Sequence, residues 1–392
     1  MGTETNYNLI LYGANGLVGM LAAQYLYSQY QNQFSIAIAG RNEQKLKDVN
    51  KTCKSNFDII VCNSANYGEC EEMIQRLNEN GVLLTVAGPY NNECGNNLVA
   101  VAANLGKKMV NISGEISWID YIISKYDSIA QKTGSIIVNS AGCDDLPWDL
   151  LTQFIAEKIK EKFSSEMVEI TMSDRTNARP SIGTIVSSLG ELKQIACNYL
   201  LKPTRIISYK NYDFKTIDKN VKTIKCLDNN KYLIPFVMAP VNVACISKSN
   251  AILKYGNPLV YQEGEMFGSY WEIFKHSLLQ MYLIIKYVTG SYNNPEMSEM
   301  LKGYLTINAC GKDKIGNTIN GNLEIIGCPA YLRTSEMACE TAIALIAEEN
   351  LQLLGGIITP AILNNQGKCL LKRLVKTGNF KIKTDYDDDG HD

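Results

Sequence analysis

Three glycines, Gly13, Gly16 and Gly19, interrupt the apolar run Leu9-Ile10-Leu11-Tyr12 and lead straight into a helical pattern. Such spacing suits a dinucleotide: Gly13 makes a tight turn, Gly16 lets backbone approach a pyrophosphate, and Gly19 lets the helix pack closely on the strand. Asn15 and the backbone N–H groups of Leu17 and Val18, at the positive end of that helix, would then face the phosphates. A second apolar run, Phe34 to Ala39, ends in Gly40-Arg41-Asn42, where an NAD site would carry Asp or Glu. A guanidinium at Arg41, with Asn42 beside it, suits an adenosine 2′-phosphate, and no carboxylate is there to repel it. NADP(H) is therefore the expected cofactor, against the alternative that Arg41 is a solvated loop residue.

Further along, Asn63 follows the third apolar run and is placed to contact the adenine, and Ala87-Gly88-Pro89-Tyr90 ends the fourth, where it would cover the nicotinamide ribose. Hydride transfer usually needs a proton donor, and neither histidine, His276 nor His391, lies near these turns. Tyr90, Asp144 and Cys143 are the candidate donors. Each has a structural alternative: Tyr90 as a ring stacked on the cofactor, Asp144 as a helix cap, Cys143 as a small buried hydrophobe. Ser113 and Glu115 form another strand-exit turn, with Glu115 either orienting substrate or capping. Arg179 beside Ser181 and Thr184, at the entry to a helix, could hold a carboxylate or phosphate, or simply be a surface arginine near an ordinary cap.

The elements that must position these residues alternate between strand and helix throughout the first third. Strands are expected at Asp58–Cys62, Val82–Ala87, Met109–Ile112 and Ser135–Val138, with helices between them. That alternation predicts an α/β fold: a Rossmann doubly wound parallel sheet. Pro147 suits the first turn of a helix running to Phe154, with Asp144 or Asp145 as its cap. After about residue 155 the alternation lapses into short strands such as Met167–Met172.

Bulk properties narrow the class. A chain of 392 residues is long for one domain. The net charge is −2 with Lys and Arg dispersed, which argues against a nucleic-acid partner. Twelve scattered cysteines, without a C-x-x-C pair, and two histidines support neither a metal site nor a disulfide framework. A reducing, cytoplasmic setting fits, and the first apolar run is the cofactor strand itself, so no signal peptide is expected.

Taken together, these residues resemble the saccharopine dehydrogenase-like oxidoreductase family, which includes the trans-acting enoyl reductases of lipid synthesis. The landmarks are Gly13 to Gly19, Ala39-Gly40-Arg41-Asn42, Ala87-Gly88-Pro89-Tyr90, Ser113-Gly114-Glu115, Gly142-Cys143-Asp144-Asp145-Leu146-Pro147 and Gly355-Gly356-Ile357-Ile358-Thr359-Pro360. The resemblance implies a Rossmann domain, an inserted mixed α/β domain and a C-terminal helix packing back on the Rossmann part. It further implies hydride transfer at an interdomain cleft, on a lipid-related enoyl or imine substrate. A catalytically silent NADP(H)-binding sensor or scaffold at a lipid surface, and a saccharopine reductase, are the alternatives. The expected domains are 1–150 (Rossmann), 151–328 (inserted substrate or dimerisation domain), 329–384 (C-terminal helices returning to the Rossmann part) and 385–392 (acidic disordered tail). Met337, Ala338, Ala342 and Leu345 share the face of the returning helix.

Residues 267–289 pose a separate question, because Phe267, Tyr270, Trp271, Phe274, Leu278, Met281, Ile285 and Val288 recur at near-helical spacing. The stretch is interrupted by Glu272, Lys275 and Lys286, and its uncharged run from His276 to Ile285 is too short to span a bilayer. It reads as a buried helix or a homodimer interface, with a helix lying on a membrane or lipid-droplet surface as the rival.

Overall fold

The computed structural model describes residues 6–90, 93–180, 185, 204–209, 212–221, 224–226, 231–348 and 355–386. The chain divides into two compact units, Met1–Leu146 with Ala330–Thr377, and Pro147–Pro329 with Gly378–Asp392.

In the first unit, strands β1 (Tyr7–Tyr12), β2 (Ile36–Gly40), β3 (Asp58–Val61), β4 (Leu77–Thr85), β5 (Lys108–Asn111) and β6 (Ile136–Val138) alternate with helices. The helices are α1 (Leu17–Tyr30), α2 (Glu43–Cys53), α3 (Tyr67–Gln75), α4 (Glu93–Asn104) and α5 (Ile116–Thr133). The strands form one parallel sheet in the order β6, β5, β4, β1, β2, β3, and Gly356–Ile358, from far down the chain, adds a seventh strand beside β6. The unbroken apolar runs are explained by this arrangement: β2 is buried at every position because helices cover both faces of the sheet. The sheet changes direction of growth at β1, which lies between β2 and β4, and ligands bind at the carboxyl ends beside such a switch. Register puts Tyr12 level with Ala39 and with Thr85, so the turns after β1, β2 and β4 open on one edge.

The helix Thr334–Ala347 packs on α1, β4 and β5, with Thr334 through Leu345 buried, including Met337, Ala338, Ala342 and Leu345. Two C-terminal segments differ from the sequence reading. Gly356–Ile358, expected as part of a turn, is the sheet's edge strand; three residues are too few to show a period. Phe380–Thr384, expected among helices returning to the Rossmann part, is instead a strand antiparallel to Thr318–Ile326 in the second unit. Its alternation of Phe380, Ile382 and Thr384 with Lys381 and Lys383 has the period of a strand.

The second unit is built on a mixed sheet. Its strands are β7 (Met167–Asn177), β8 (Arg205–Ile207), β9 (Thr216–Asp218), β10 (Lys225–Cys226), β11 (Tyr232–Ile234), β12 (Leu259–Phe267), β13 (Tyr304–Asp313) and β14 (Thr318–Ile326). Among the described residues the order is β10, β11, β12, β7, β13, β14 and Phe380–Thr384, with β9 also beside β12 and β8 on β9. The pairs β12–β7 and β12–β9 are parallel, the remainder antiparallel. Helix α6 (Leu146–Phe163) and the helix Ala239–Leu253 also belong here, the latter buried at nearly every position from Ala239 to Ala251.

The helix Tyr270–Val288 contradicts the expectation of a buried element, since Leu283 is its one buried residue. Tyr270, Trp271, Phe274, Leu278, Leu279, Met281, Tyr282, Ile284, Ile285 and Val288 are all exposed. At about 100° per residue, most of these large side chains fall on one broad arc opposite Leu283. The helix therefore turns its apolar face outward. Among the described residues no helix is long and apolar enough to cross a membrane.

Candidate active site

The glycine turn after β1 fits a dinucleotide on its own geometry. Gly13 has φ +87°, a conformation that favours glycine, and a Cβ there would come within 2.8 Å of Ala87 Cβ. A Cβ on Gly19 would come within 2.1 Å of the Gly13 carbonyl oxygen, so only glycine lets α1 close on the turn. Gly16 is different, because a Cβ there meets nothing nearer than the Gly13 oxygen at 3.5 Å. Its outer side is open space, the cradle a pyrophosphate requires. Gly16 also begins α1 without a side-chain cap and with no acidic residue in the first turn. The N–H groups at Leu17 and Val18 thus keep the positive helix end unneutralised.

At the end of β2, Arg41 is exposed, and no carboxylate pairs with it among the described residues; Glu43 is taken by Lys47 at 2.6 Å. Asn42 caps α2 by accepting from the Lys45 N–H at 3.0 Å, which fixes the direction in which the chain leaves Arg41. Asn15 brings its side-chain oxygen to 3.2 Å from where a Gly40 Cβ would stand, so the first and second turns meet. Asn63 is exposed at the end of β3, its loop held by Glu69, which accepts from the Asn63 N–H at 2.8 Å. Tyr12 joins this edge from below: its hydroxyl accepts from the Ser64 N–H at 3.2 Å and donates to the Cys62 carbonyl at 3.3 Å.

Tyr90 requires a correction. Its ring is 3 % exposed and packs 5.1 Å from Trp118, and its hydroxyl donates to the Thr85 carbonyl at 2.9 Å. Burial drives the phenol's pKa well up, and the proton is already engaged with the strand behind the turn. The group is a buried anchor, poorly placed to serve as a proton donor. Ala87, Gly88 and Pro89 remain accessible along the same turn. Glu115 accepts a hydrogen bond from the Tyr90 N–H at 2.7 Å and donates its own N–H to Ser113 Oγ at 3.2 Å. Ser113 is buried, its carbonyl receiving the Ser140 hydroxyl at 3.2 Å. Ser113 and Glu115 thus brace the turns, a job visible in the sequence only as a Ser-Gly-Glu exit.

Cys143 is buried and hands its N–H to Thr334 Oγ1 at 3.0 Å, tying the Gly142 turn to the returning helix. Asp144 beside it stands exposed. Protein crowded around it pushes its carboxyl up to about 6. Of the three donor candidates it alone combines an accessible side chain with a pKa moved toward neutrality.

In the second unit, Arg179 is committed elsewhere: it pairs with Glu299 at 3.0 Å, donates to the Asn293 carbonyl at 3.2 Å and lies over the Tyr292 ring. That occupation removes it as a free anion holder. Ser181 and Thr184 lie outside the described residues. No group of three or more metal-ligating side chains gathers among the described residues.

A parallel sheet with an open glycine turn at its switch point and a second, mixed sheet define a Rossmann-type α/β fold. The chain is similar in sequence to proteins named as saccharopine dehydrogenase-like oxidoreductases and trans-acting enoyl reductases. It is 26 % identical over 415 residues, 96 % of this chain and 97 % of the other, to a Mycobacterium tuberculosis protein provisionally named as a trans-acting enoyl reductase. It is 24 % identical over 267 residues, 62 % of this chain and 59 % of the other, to the mouse saccharopine dehydrogenase-like oxidoreductase. A Caenorhabditis elegans lipid droplet localized protein is 35 % identical over 159 residues, 38 % of this chain and 36 % of the other. The yeast saccharopine dehydrogenase (L-Glu forming) shares the fold, with a TM-score of 0.57 and 11 % identity across 97 % of this chain and 100 % of the other. No family model matches the chain.

Proposed function

We propose that the chain is an NADP(H)-dependent reductase acting on a lipid-related enoyl or imine substrate. The observation that carries the cofactor half is the pairing of an open Gly16 cradle with Arg41, unopposed by any carboxylate at the end of β2. The pyrophosphate rests on the N–H groups of Leu17 and Val18, and the guanidinium of Arg41 receives the 2′-phosphate. A bound nicotinamide supplies or accepts the hydride. Asp144, in the turn that follows β6, holds a proton at its carboxyl for the substrate. The enoyl reductase name borne by a relative of nearly full length supports the substrate class.

The outward apolar face of Tyr270–Val288 supports attachment to a lipid surface, and the name of the nematode relative points the same way. Lys275 and Lys286 lie 5.3 Å over the rings of Trp271 and Tyr282, at the edge of the apolar arc, as expected of cations flanking an interfacial face.

The deciding experiment is titration of the protein with NADPH and NADH by fluorescence, repeated on Arg41→Ala. NADPH preferred at least tenfold, and the preference lost in the variant, is the expected result. Failure to bind either nucleotide would overturn the reductase reading.

A further inference from the structure

Asp174, Glu263 and Glu265 lie together on one face of the second sheet. Register sets Glu265 directly beside Asp174 across the parallel β12–β7 pair, and Glu263 lies two residues back on the same face. Asp174 and Glu263 are 0 % exposed and Glu265 is 6 %. Asn242 reaches them from the helix Ala239–Leu253, its amide donating to Glu263 at 2.8 Å, and Tyr261 donates to the other Glu263 oxygen at 2.8 Å.

Among the described residues Arg175 partly offsets Glu265, and no cation offsets Asp174 or Glu263. Arg175, on the neighbouring position of β7, is spent on Glu272 at 3.3 Å, the Met266 carbonyl at 2.9 Å and the Phe267 ring. His276 is 3.6 Å from Glu265, but burial and Arg175 lower its pKa, so it adds no charge near neutrality. Asp218, on β9, faces Arg205 across the β8–β9 pair and adds a further negative group beside Glu263. Burial raises all three acids: Glu263, with Asp218 beside it, to about 8, Glu265 to about 7, and Asp174, which also feels Glu263 and Glu265, well above the usual carboxylate range.

An independent observation shows what is missing. Both Asp174 carboxylate oxygens and the Asn242 Oδ1 are buried with no hydrogen-bond partner among the described residues, and Asn242 is 0 % exposed with its amide already in the cluster. Once Asp174 is ionised, every one of these orphan atoms is an acceptor. The complement is a group with several N–H donors and a positive charge. A metal ion does not fit, because no trio of ligating side chains among the described residues is close enough to hold one. The carboxylates of Glu263 and Glu265 are also spread along roughly 7 Å of strand.

We propose that Asp174, Glu263, Glu265 and Asn242 form a binding site for the ammonium group of an aliphatic amine. Entry is at the Glu265 end, where the imidazole of His276 is 29 % exposed. Binding releases the protons that the three acids otherwise hold, because an ammonium neighbour restores their charged forms. The site lies wholly within the second unit and does not depend on the nucleotide reading.

The test is calorimetric titration of the full chain, without nucleotide, with n-butylammonium and 1,4-diaminobutane at constant ionic strength, with n-butanol as the neutral control. Each titration is run in two buffers of different ionisation enthalpy. Expected are saturable binding of at least one amine with proton release, and affinity at least tenfold weaker in Asp174→Asn and Glu263→Gln. Thermal melting verifies that both variants fold, and Glu265→Gln at the rim serves if either does not. No saturable amine binding, equal binding by n-butanol, or affinity unchanged in the folded variants would overturn the proposal. A chain that binds amine but neither NADPH nor NADH would keep this site and lose the reductase reading.

Discussion

Glu115 holds the backbone N–H of Tyr90 at 2.7 Å, so the turn that ends β4 is pinned from the turn that ends β5. The carboxylate spans two adjacent strand exits and fixes the height of Gly88 and Pro89 at the open edge of the sheet. A charged acceptor bonded to a backbone donor contributes about 1.5–3 kcal/mol. Glu115→Ala should lower the unfolding free energy by roughly that amount, and Glu115→Gln by less. Urea titration measures both.

Tyr90→Phe separates an anchor from a catalyst. Loss of the bond to the Thr85 carbonyl should cost about 1 kcal/mol of stability. Turnover per folded molecule should fall less than threefold. A drop of a hundredfold or more, with the fold intact, would mean that the phenol reaches the reacting atoms after all.

Gly16→Ala and Gly19→Ala should part company. The Gly16 backbone, at φ −78° and ψ 170°, accepts alanine without strain, so the protein folds as before while NADPH affinity falls by tenfold or more. Gly19→Ala forces a methyl to 2.1 Å from the Gly13 oxygen and should destabilise the whole unit. Melting temperature read beside NADPH fluorescence distinguishes the two.

Asp144 and the second-unit acids set the pH dependence. Asp144, pushed up to about 6, carries its proton below that value, so turnover limited by proton donation should decline as pH rises through about 6. Asp144→Asn should remove that limb along with most of the activity. For stability the sign is the same for every raised acid. Glu263, Glu265 and Asp174 favour the native state fully below their ordinary carboxylate range, and that contribution is lost as pH rises through the raised native values. Without a bound cation, the melting temperature should therefore fall between about pH 5 and 8, and Glu263→Gln should flatten the fall.

The exposed helix permits a test that leaves the fold alone. Phe274→Glu with Ile285→Glu should shift the melting temperature little, since both side chains face outward, yet abolish flotation with phosphatidylcholine-coated triolein droplets. If the helix instead joins two copies of the chain, the same double substitution would halve the sedimenting mass and leave flotation unaffected.

Much of the first unit was legible because its strands are buried on both faces and its glycines have no other use. The period of apolar runs and turns located β1 to β6, although β4 begins at Leu77, five residues before the apolar run expected to start it at Val82. The turn after β1 could be read to single atoms, since the positive φ of Gly13 and the closeness of Gly19 follow from the motif. Roles decided across strands were not legible. Whether Tyr90 points to the cofactor or to Thr85, and whether Glu115 reaches substrate or a backbone N–H, depends on partners that sequence spacing does not bring together. The outward turn of Tyr270–Val288 was ambiguous for the opposite reason. An apolar stripe has the same period whether it meets a core or faces outward.

The seventh strand, Gly356–Ile358, has a consequence for how the chain is made. During synthesis β6 emerges roughly two hundred residues before the strand that covers its edge, and the helix Thr334–Ala347 that roofs β4 and β5 is almost as late. At about 5–20 residues per second, the nascent Rossmann sheet waits about ten to forty seconds with one edge and part of one face bare. Closure of the first unit thus waits until the second sheet has been made, and a ribosome that stops within that sheet leaves behind an open, adhesive half.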